Sequence, residues 1–124
     1  MKKVRFVIAT VKGDIHEIGK NIVRTVMENY GYDAVDLGRD VPPETILDTV
    51  REQNIPLVGL SALMTTTLPA MEETIRLLHT LDKPPVIWVG GAVVTPEYAA
   101  QMGADYYAKD ARQSVDIARR VFGA

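Results

Sequence analysis

The sequence predicts an α/β fold in which helices cover both faces of a parallel sheet, and two features indicate it. Apolar, β-branched runs typical of strands buried on both faces recur along the chain, namely VRFVIATV, YDAVDL, PLVGLS and PPVIWVG. A segment with helical periodicity follows each run, without a linker or a low-complexity stretch. This alternation favours parallel strands joined by right-handed crossover helices.

The first half of the chain contains two strand and helix units. After the strand KVRFVIATV, apolar residues from Ile18 to Tyr30 repeat at helical spacing, and Gly31 then ends the helix. The second strand, YDAVDL, leads into PPETILDTVREQN, whose opening prolines suit a helix N-terminus. Its apolar stripe consists of Ile46, Leu47 and Val50.

The second half predicts three further units. The strands PLVGLS and PPVIWVG precede the helices LPAMEETIRLLHTL and TPEYAAQM. A weak last strand, DYYA, precedes the helix DARQSVDIARRVF, which turns Ile117, Ala118 and Val121 inward. Five such units predict a flavodoxin-like, doubly wound sheet with strand order 2-1-3-4-5, built as one domain over residues 1–124.

Composition excludes several classes of protein. A length of 124 residues with 47% hydrophobic content suits one compact domain. The net charge of -2, without a run of basic residues, gives no footprint for nucleic acid or an anionic membrane. The absence of cysteine excludes thiolate metal sites and is compatible with a reducing compartment. The apolar run after Lys3 is too short for a membrane span, so we expect a cytoplasmic protein.

The loops that follow the strands are the candidate ligand site. In an open parallel sheet, ligands bind beyond the carboxyl ends of the strands, where the strand order reverses. The loops after strands 1, 3, 4 and 5 read KGDIHE, SALMTTT, GGAVVT and KDA. We expect all four loops to line one rim.

Asp14 and His16 form the first chemical motif. A carboxylate commonly holds the second nitrogen of a metal-binding imidazole and fixes its tautomer. Alternatively, Asp14 caps the following helix and His16 is an ordinary loop residue. His79 lies late in another helix and is a poor second ligand. If His16 binds a metal, a cofactor must therefore supply the other ligands.

Two further motifs lie on the neighbouring loops. The hydroxyls of Ser61, Thr65, Thr66 and Thr67 outnumber what one helix cap needs, and the surplus suggests contacts to a ligand. The adjacent glycines after strand 4 allow close approach of a flat or bulky group. The chain contains neither the GxGxxG fingerprint nor a Walker loop, which argues against a nucleotide-binding protein of those types.

Together these motifs resemble a known family. GDIHEIGKNIV matches a DxHxxG signature through Asp14, His16 and Gly19, and GLSALMTTTLPAM resembles an SxL element through Ser61 and Leu63. VGGAVVTPEYAAQMGADYYAKDA resembles the GG element and closing segment of the same family. The chain is similar to cobalamin-binding domains, above all to methyltransferase corrinoid proteins and the matching domain of cobalamin-dependent methionine synthase.

The resemblance implies a role for each motif residue. His16 would replace the cofactor's own base as axial ligand of cobalt, and Asp14 would hold the other ring nitrogen. The hydroxyl of Thr67, at a position where the family usually has serine, would extend this pair by contacting Asp14. Ser61 and Thr65 would contact the displaced base and its linker, and Ala111 would lie near that base. The remaining expected contacts to cobalamin come from Gly13, Ile15, Glu17, Gly90 and Gly91, the last two by leaving a slot for the nucleotide tail.

The implied function is that of a corrinoid carrier. Family members of this type pass a methyl group from a donor to an acceptor, with methylcobalamin or a related corrinoid as the carrier. The chain offers no substrate pocket of its own, so we expect a subunit that works with methyl-donor and methyl-acceptor methyltransferase subunits. Its cap, usually a helical domain ahead of the sheet, would come from a separate domain or chain.

Two other functions stay open from the sequence. One is the small cobalamin-binding subunit of an adenosylcobalamin-dependent mutase, which has the same signature. The other is a receiver or sensing module without transfer chemistry. Receiver domains need an aspartate at the end of strand 3, where this chain has Ser61, so a phosphoacceptor site is not expected.

Overall fold

The computed structural model of the chain describes residues 4–123. These residues form one parallel sheet of five strands in the order β2-β1-β3-β4-β5, which confirms the predicted topology. The predicted start of the first strand at Lys3 lies outside the described residues. The strands are β1 (Arg5–Val11), β2 (Asp33–Val41), β3 (Leu57–Ser61), β4 (Val86–Gly90) and β5 (Tyr106–Tyr107).

Helices follow the strands as predicted. The helices are α1 (Ile18–Asn29), α2 (Pro43–Gln53), α3 (Leu68–Leu78), α4 (Pro96–Met102) and α5 (Ala111–Phe122), and a short 3₁₀ turn (Thr65–Thr67) precedes α3. Within residues 4–123, no helix is both long and apolar enough to cross a lipid bilayer.

Each face of the sheet has its own apolar core. The first core packs α2, α3 and α4 onto alternate residues of the central strands, with Ile46, Ile75 and Ala99 as buried members from the three helices. The second core packs α1 and α5 onto the opposite face through Met27 and Val115. Both follow from the alternation of side chains along a strand, which sends successive residues to opposite faces.

The register of the central strands positions two rows of residues on the α1 and α5 face. Ile8 pairs with Gly59, and Gly59 pairs with Trp88. Two residues further along, Thr10 pairs with Ser61, and Ser61 pairs with Gly90. Because side chains alternate with a period of two, both rows lie on the same face, and the second row is nearer the carboxyl ends.

Strand β2 is longer than YDAVDL predicts. It continues to Val41, and its pairing with β1 shifts register beyond Ile8. Gly38 and Asp40 have φ angles of 93° and 52° in this irregular part. Asp40 thereby reaches the loop after β1 and forms hydrogen bonds there.

Helix α1 departs from the pattern that predicted it. Ile18 is 80% exposed and Ile22 is 54% exposed, although their spacing is that of an apolar helix face. Lys20 is buried instead, and its ammonium lies 2.7 Å from Asp36 Oδ1 on β2. Arg24 Nη1 lies 2.9 Å from the other oxygen of Asp36. Ion pairs therefore attach the first half of α1 to the sheet, and its isoleucines remain uncovered.

Candidate functional site

Asp14 is the centre of a polar cluster at the end of β1. Its carboxylate is fully buried and accepts four hydrogen bonds. Oδ1 accepts from the backbone N–H of His16 at 3.1 Å and lies 2.6 Å from His16 Nδ1. Oδ2 accepts from the N–H of Leu63 at 2.7 Å and from the hydroxyl of Thr67 at 3.0 Å. The loops after β1 and β3 therefore meet at this side chain.

These hydrogen bonds determine the charge of Asp14 and the tautomer of His16. Burial raises the pKa of Asp14, but the bonds from Leu63, from the ring and N–H of His16, and from Thr67 outweigh it and lower the pKa to about 2. An ionised carboxylate only accepts, so His16 Nδ1 must carry the proton that it donates. No group within residues 4–123 bonds Nε2, and the His16 side chain is 48% exposed. The lone pair of Nε2 is available to a ligand.

The backbone of the histidine loop is held on two sides. The buried hydroxyl of Thr10 donates to the His16 carbonyl at 2.8 Å. Asp40 accepts from the Gly13 N–H at 2.7 Å and donates its own N–H to the Asp14 carbonyl at 2.9 Å. We did not predict either anchor. The hydroxyl within an apolar strand was a signal for Thr10, whereas nothing local marks Asp40, whose partners lie far away in sequence.

The capping alternatives are wrong for both loops. Helix α1 begins after Glu17, and no side chain caps it. Thr67 precedes α3 but does not cap it either. Its hydroxyl lies 3.0 Å from Asp14 Oδ2 and 2.7 Å from the Met64 carbonyl, so one proton is shared between two acceptors. Asp14 and Thr67 instead bond within the polar cluster, and no side chain caps the N-terminus of α1 or α3.

A cleft of about 520 Å³ opens beside the cluster, between α1 and α5 and above β1, β3 and β4. Its wall is largely apolar, with Ile8, Val23 and Trp88 among the lining residues. The predicted site residues that line this cleft are Gly19, Ser61, Leu63, Gly90, Gly91 and Ala111.

The other predicted site residues lie outside the cleft. Thr65 is exposed on the 3₁₀ turn, and Gly13 and Ile15 are exposed on the histidine loop. Glu17 is partly buried at the start of α1, where its carboxylate lies 3.6 Å from Lys20 Nζ. The structure therefore separates the predicted residues into a loop group around His16 and a cleft group.

The two glycines after β4 approach the protein's own backbone. A Cβ on Gly91, whose φ is 122°, would lie 2.0 Å from the Ala62 carbonyl oxygen. A Cβ on Gly90 would lie 2.8 Å from the Ala108 carbonyl oxygen. Side chains at these positions would meet the backbone of other loops, which is one reason for the glycines, and the expectation that they leave a slot for a cofactor tail stays a prediction. Both residues still line the cleft through their backbone.

The donor set allows only one kind of metal site. Within residues 4–123, no group of three or more His, Cys, Asp or Glu side chains could hold a metal ion. A metal held by His16 Nε2 would therefore need a cofactor that supplies its other ligands, as a tetrapyrrole-type ring does, and the apolar cleft beside the loop could hold an apolar part of such a cofactor.

The fold and the site define a class of protein: a doubly wound α/β domain with an exposed histidine loop beside an apolar cleft at the carboxyl ends of its strands. The profile of the family "B12 binding domain" matches residues 4–116. The chain belongs to this family, and its predicted cofactor class is confirmed at the level of cobalamin or a related corrinoid.

Named relatives point to methyltransferase systems. The chain is 44% identical to "Dimethylamine corrinoid protein 3" of Methanosarcina mazei over 115 residues, which cover 90% of this chain and 68% of that protein. A cobalamin-binding protein from Desulfitobacterium hafniense superposes with a TM-score of 0.91 and 40% identity over 96% of this chain and 59% of its own. A chain of the methanol:cobalamin methyltransferase complex of Methanosarcina barkeri superposes with a TM-score of 0.92 and 33% identity. The match covers 97% of this chain and 46% of that chain.

Receiver domains share the fold alone. The signal receiver domain of the response regulator NarL from Mycobacterium tuberculosis superposes with a TM-score of 0.71 at 15% identity, over 100% of this chain and 99% of its own. Strand β3 ends at Ser61, so this chain has no aspartate at the expected phosphoacceptor position. The likeness therefore carries no function across.

Proposed function

We propose that the chain binds cobalamin with the cofactor's own base detached and His16 attached to cobalt, and that it carries a methyl group between methyltransferase subunits. One observation carries the first part: the buried, ionised Asp14 holds His16 Nδ1 at 2.6 Å and leaves Nε2 available at an exposed rim. The names of the relatives support the second part, since they are corrinoid proteins and a cobalamin methyltransferase complex.

When bound, the corrinoid supplies the cobalt centre that carries the methyl group, and this chain supplies its lower side. His16 would hold the cobalt through Nε2, and Asp14 would orient the imidazole through Nδ1. Ser61, Gly19 and Ala111 line the cleft that takes the nucleotide tail. A cleft with a largely apolar wall suits an aromatic base, because it removes the base from water without leaving polar groups of the wall unpaired.

Asp14 is itself held in place from the neighbouring loop. The N–H of Leu63 and the hydroxyl of Thr67 donate to its Oδ2, while its Oδ1 lies 2.6 Å from His16 Nδ1. The loop after β3 therefore contributes to the orientation of a histidine on the loop after β1.

The partners follow from what this domain does not supply. We infer that methyl-donor and methyl-acceptor subunits reach the upper face of the cofactor, and that a helical cap from another domain or chain covers it between transfers. The chain spans between 46% and 68% of the length of the relatives described above, which leaves room in them for such a domain. A cysteine-free composition supports a place in the cytoplasm.

The axial ligand can be identified by electron paramagnetic resonance of the cobalt(II) form. Histidine labelled with ¹⁵N should change the nitrogen splitting from triplets to doublets, because the axial nitrogen then comes from His16. His79→Asn is the matched control, since His79 is the second of the two histidines and should leave the splitting unchanged. Triplets that persist in the labelled protein would show that the cofactor keeps its own base, and would refute His16 as ligand.

A further inference from the structure

We infer that Trp88 sets the depth of the cleft and makes it selective for an apolar aromatic base on the cofactor tail, such as dimethylbenzimidazole, over a purine with an exocyclic amine. The inference rests on the proposed function, because it concerns the tail of a bound corrinoid. It adds a prediction of which nucleotide bases the cleft accepts.

The two rows of the sheet define where the cleft begins and ends. The row nearer the rim consists of Thr10, Ser61 and Gly90, whose side chains are small or missing. The row beneath it consists of Ile8, Gly59 and Trp88. All except Thr10 line the cleft. The space is therefore open at the first row and meets large side chains at the second.

Gly59 and Trp88 complement one another in the second row. A Cβ on Gly59 would lie 2.3 Å from Cζ2 of the Trp88 indole and 2.5 Å from Cη2. The indole therefore lies over the position where Gly59 has no side chain, and the glycine permits this placement. Trp88 is 3% exposed, although it lines the cleft. The ring forms the floor of the cleft.

The polar atoms of the floor are already paired. Trp88 Nε1 donates to Ser114 Oγ at 3.0 Å, and that hydroxyl lies 3.3 Å from the Asp110 carbonyl oxygen, to which it donates. Lys20 also lines the cleft, but its ammonium is held by Asp36 at 2.7 Å. A base that reaches the floor meets an aromatic ring whose N–H is already donated. The Ser114 hydroxyl has also donated its proton, and it lies in a side chain that is 1% exposed.

This floor distinguishes bases by polarity. Dimethylbenzimidazole presents apolar edges to the indole and can make an aromatic contact with it. Adenine would bury an amine against the same surface, and an unsatisfied buried donor costs about 1–3 kcal/mol, or roughly 5- to 150-fold in affinity. We expect cobalamin to bind roughly tenfold more tightly than its adenine analogue.

The test compares three corrinoids on four proteins by absorbance titration. The corrinoids are cobalamin, its adenine analogue, and cobinamide, which lacks the nucleotide tail. The proteins are wild type, Trp88→Phe, Trp88→Leu and Ile87→Ala. Ile87 is the matched control, because it is the neighbour of Trp88 on β4, is equally buried, and packs into the core on the opposite face.

Trp88→Leu should reduce the preference for cobalamin over the adenine analogue from roughly tenfold to about twofold or less, while leaving the affinity for cobinamide unchanged. Trp88→Phe keeps an aromatic ring, so it should reduce the preference less than Trp88→Leu does. It should also disturb the core less. Ile87→Ala should lower thermal stability and leave the preference at its wild-type value. The comparison separates an effect of the cleft floor on base preference from a general loss of stability.

Three results would overturn the inference and leave corrin binding at His16 standing. Wild type could bind cobalamin and the adenine analogue equally, or both Trp88 variants could keep the wild-type preference. Wild type could also bind cobinamide as tightly as cobalamin, which would show that the tail does not use the cleft. A wild type that binds none of the three would instead refute the proposed function itself.

Discussion

The two faces of the sheet differ in how completely helices cover them. On the face of α2, α3 and α4, buried residues such as Val7 and Ile75 form a core that continues to Leu68 at the rim. On the face of α1 and α5, the core surrounds Phe6 and Met27 and stops short of the rim, where the cleft opens. The closed face contains more of the buried apolar residues, and the open face contains the cleft.

The difference between the two faces shows how a small domain can keep an apolar cleft open. Lys20 and Arg24 attach α1 to Asp36 on β2, so the first half of the helix is held by charge. Ile18 and Ile22 are then not needed in the core and remain at the surface. Ion pairs have a defined geometry, whereas apolar side chains in the same place would fill the space that a ligand needs.

Gly91→Val gives the largest expected effect, because it tests where the closed face ends. A side chain there meets the Ala62 carbonyl and must adopt a φ of 122°. Overpacking and the strained backbone together should cost about 3–5 kcal/mol of folding free energy. Urea unfolding measures it, with Gly19→Ala as control, since a Cβ at Gly19 meets nothing within 4 Å. A Gly91→Val protein as stable as wild type would show that the loop containing Ala62 moves to accommodate the side chain.

Paired isoleucine truncations compare the two faces directly. Ile75→Ala should cost about 2–5 kcal/mol, because Ile75 is fully buried in α3. Ile22→Ala should change stability by about 0.5 kcal/mol or less, because Ile22 is 54% exposed. Cobalamin affinity of the folded fraction should respond in the opposite order, since Ile22 lines the cleft and Ile75 does not. Equal stability losses would contradict the comparison.

Asp14→Asn should weaken cobalamin binding or methyl transfer by roughly 10- to 100-fold, the usual loss for a group that orients a metal ligand. The amide keeps an oxygen that can accept from the His16 ring but loses the negative charge that strengthens this hydrogen bond. Thr67→Ala should lose less, because its hydroxyl divides one proton between Asp14 and Met64. The fraction of cobalt bound by histidine, measured against pH, checks both. A Thr67 variant as damaged as the Asp14 variant would reverse this ranking.

Acid titration of the cofactor-free protein gives the smallest expected effect and tests the ion pairs of the open face. Burial raises the pKa of Asp36, but Lys20, the Gly38 N–H and Arg24 outweigh it and lower the pKa below its ordinary value. A lowered pKa stabilises the fold above the unfolded value near 3.9, and this stabilisation is lost as pH falls through the folded pKa. Stability should therefore decline below about pH 5.

The control for this titration is the double variant Lys20→Met/Asp36→Asn. Asp14 is present in both proteins, so its own titration cancels in the difference. The stability gap between wild type and the variant should narrow on acidification below about pH 5. Urea midpoints at successive pH values measure the gap. Parallel curves would show that Asp36 ionises in the folded protein as it does in the unfolded chain.

The strand order and the motif loops were predictable because their signals are local. Apolar runs, helical periodicity and prolines act over a few residues, and the alternation of units leaves few topologies. The pairing of Asp14 with His16 was also predictable, since the two residues are only two positions apart in the chain. The contact of Thr67 with Asp14 was expected from the family resemblance, and the distance of 3.0 Å confirms it.

The packing that requires Gly91 and the exposure of Ile18 and Ile22 were not predictable from the sequence. Gly91 is needed because of Ala62, and Asp40 holds a loop that precedes it by more than twenty residues, so only the folded chain brings these partners together. The spacing of Ile18 and Ile22 predicts a helix correctly, yet the same spacing would serve a buried or an exposed face.

By itself, the sequence determined the kinds of element, their order and the histidine motif, because backbone propensity and short-range hydrogen bonds act between neighbours in the chain. Only the tertiary structure decided which face of the sheet stays open. That choice depends on where Lys20 meets Asp36 and where the Trp88 ring covers Gly59, and both contacts join segments that are distant in sequence. Packing is a property of volumes in space, and a linear pattern does not contain them.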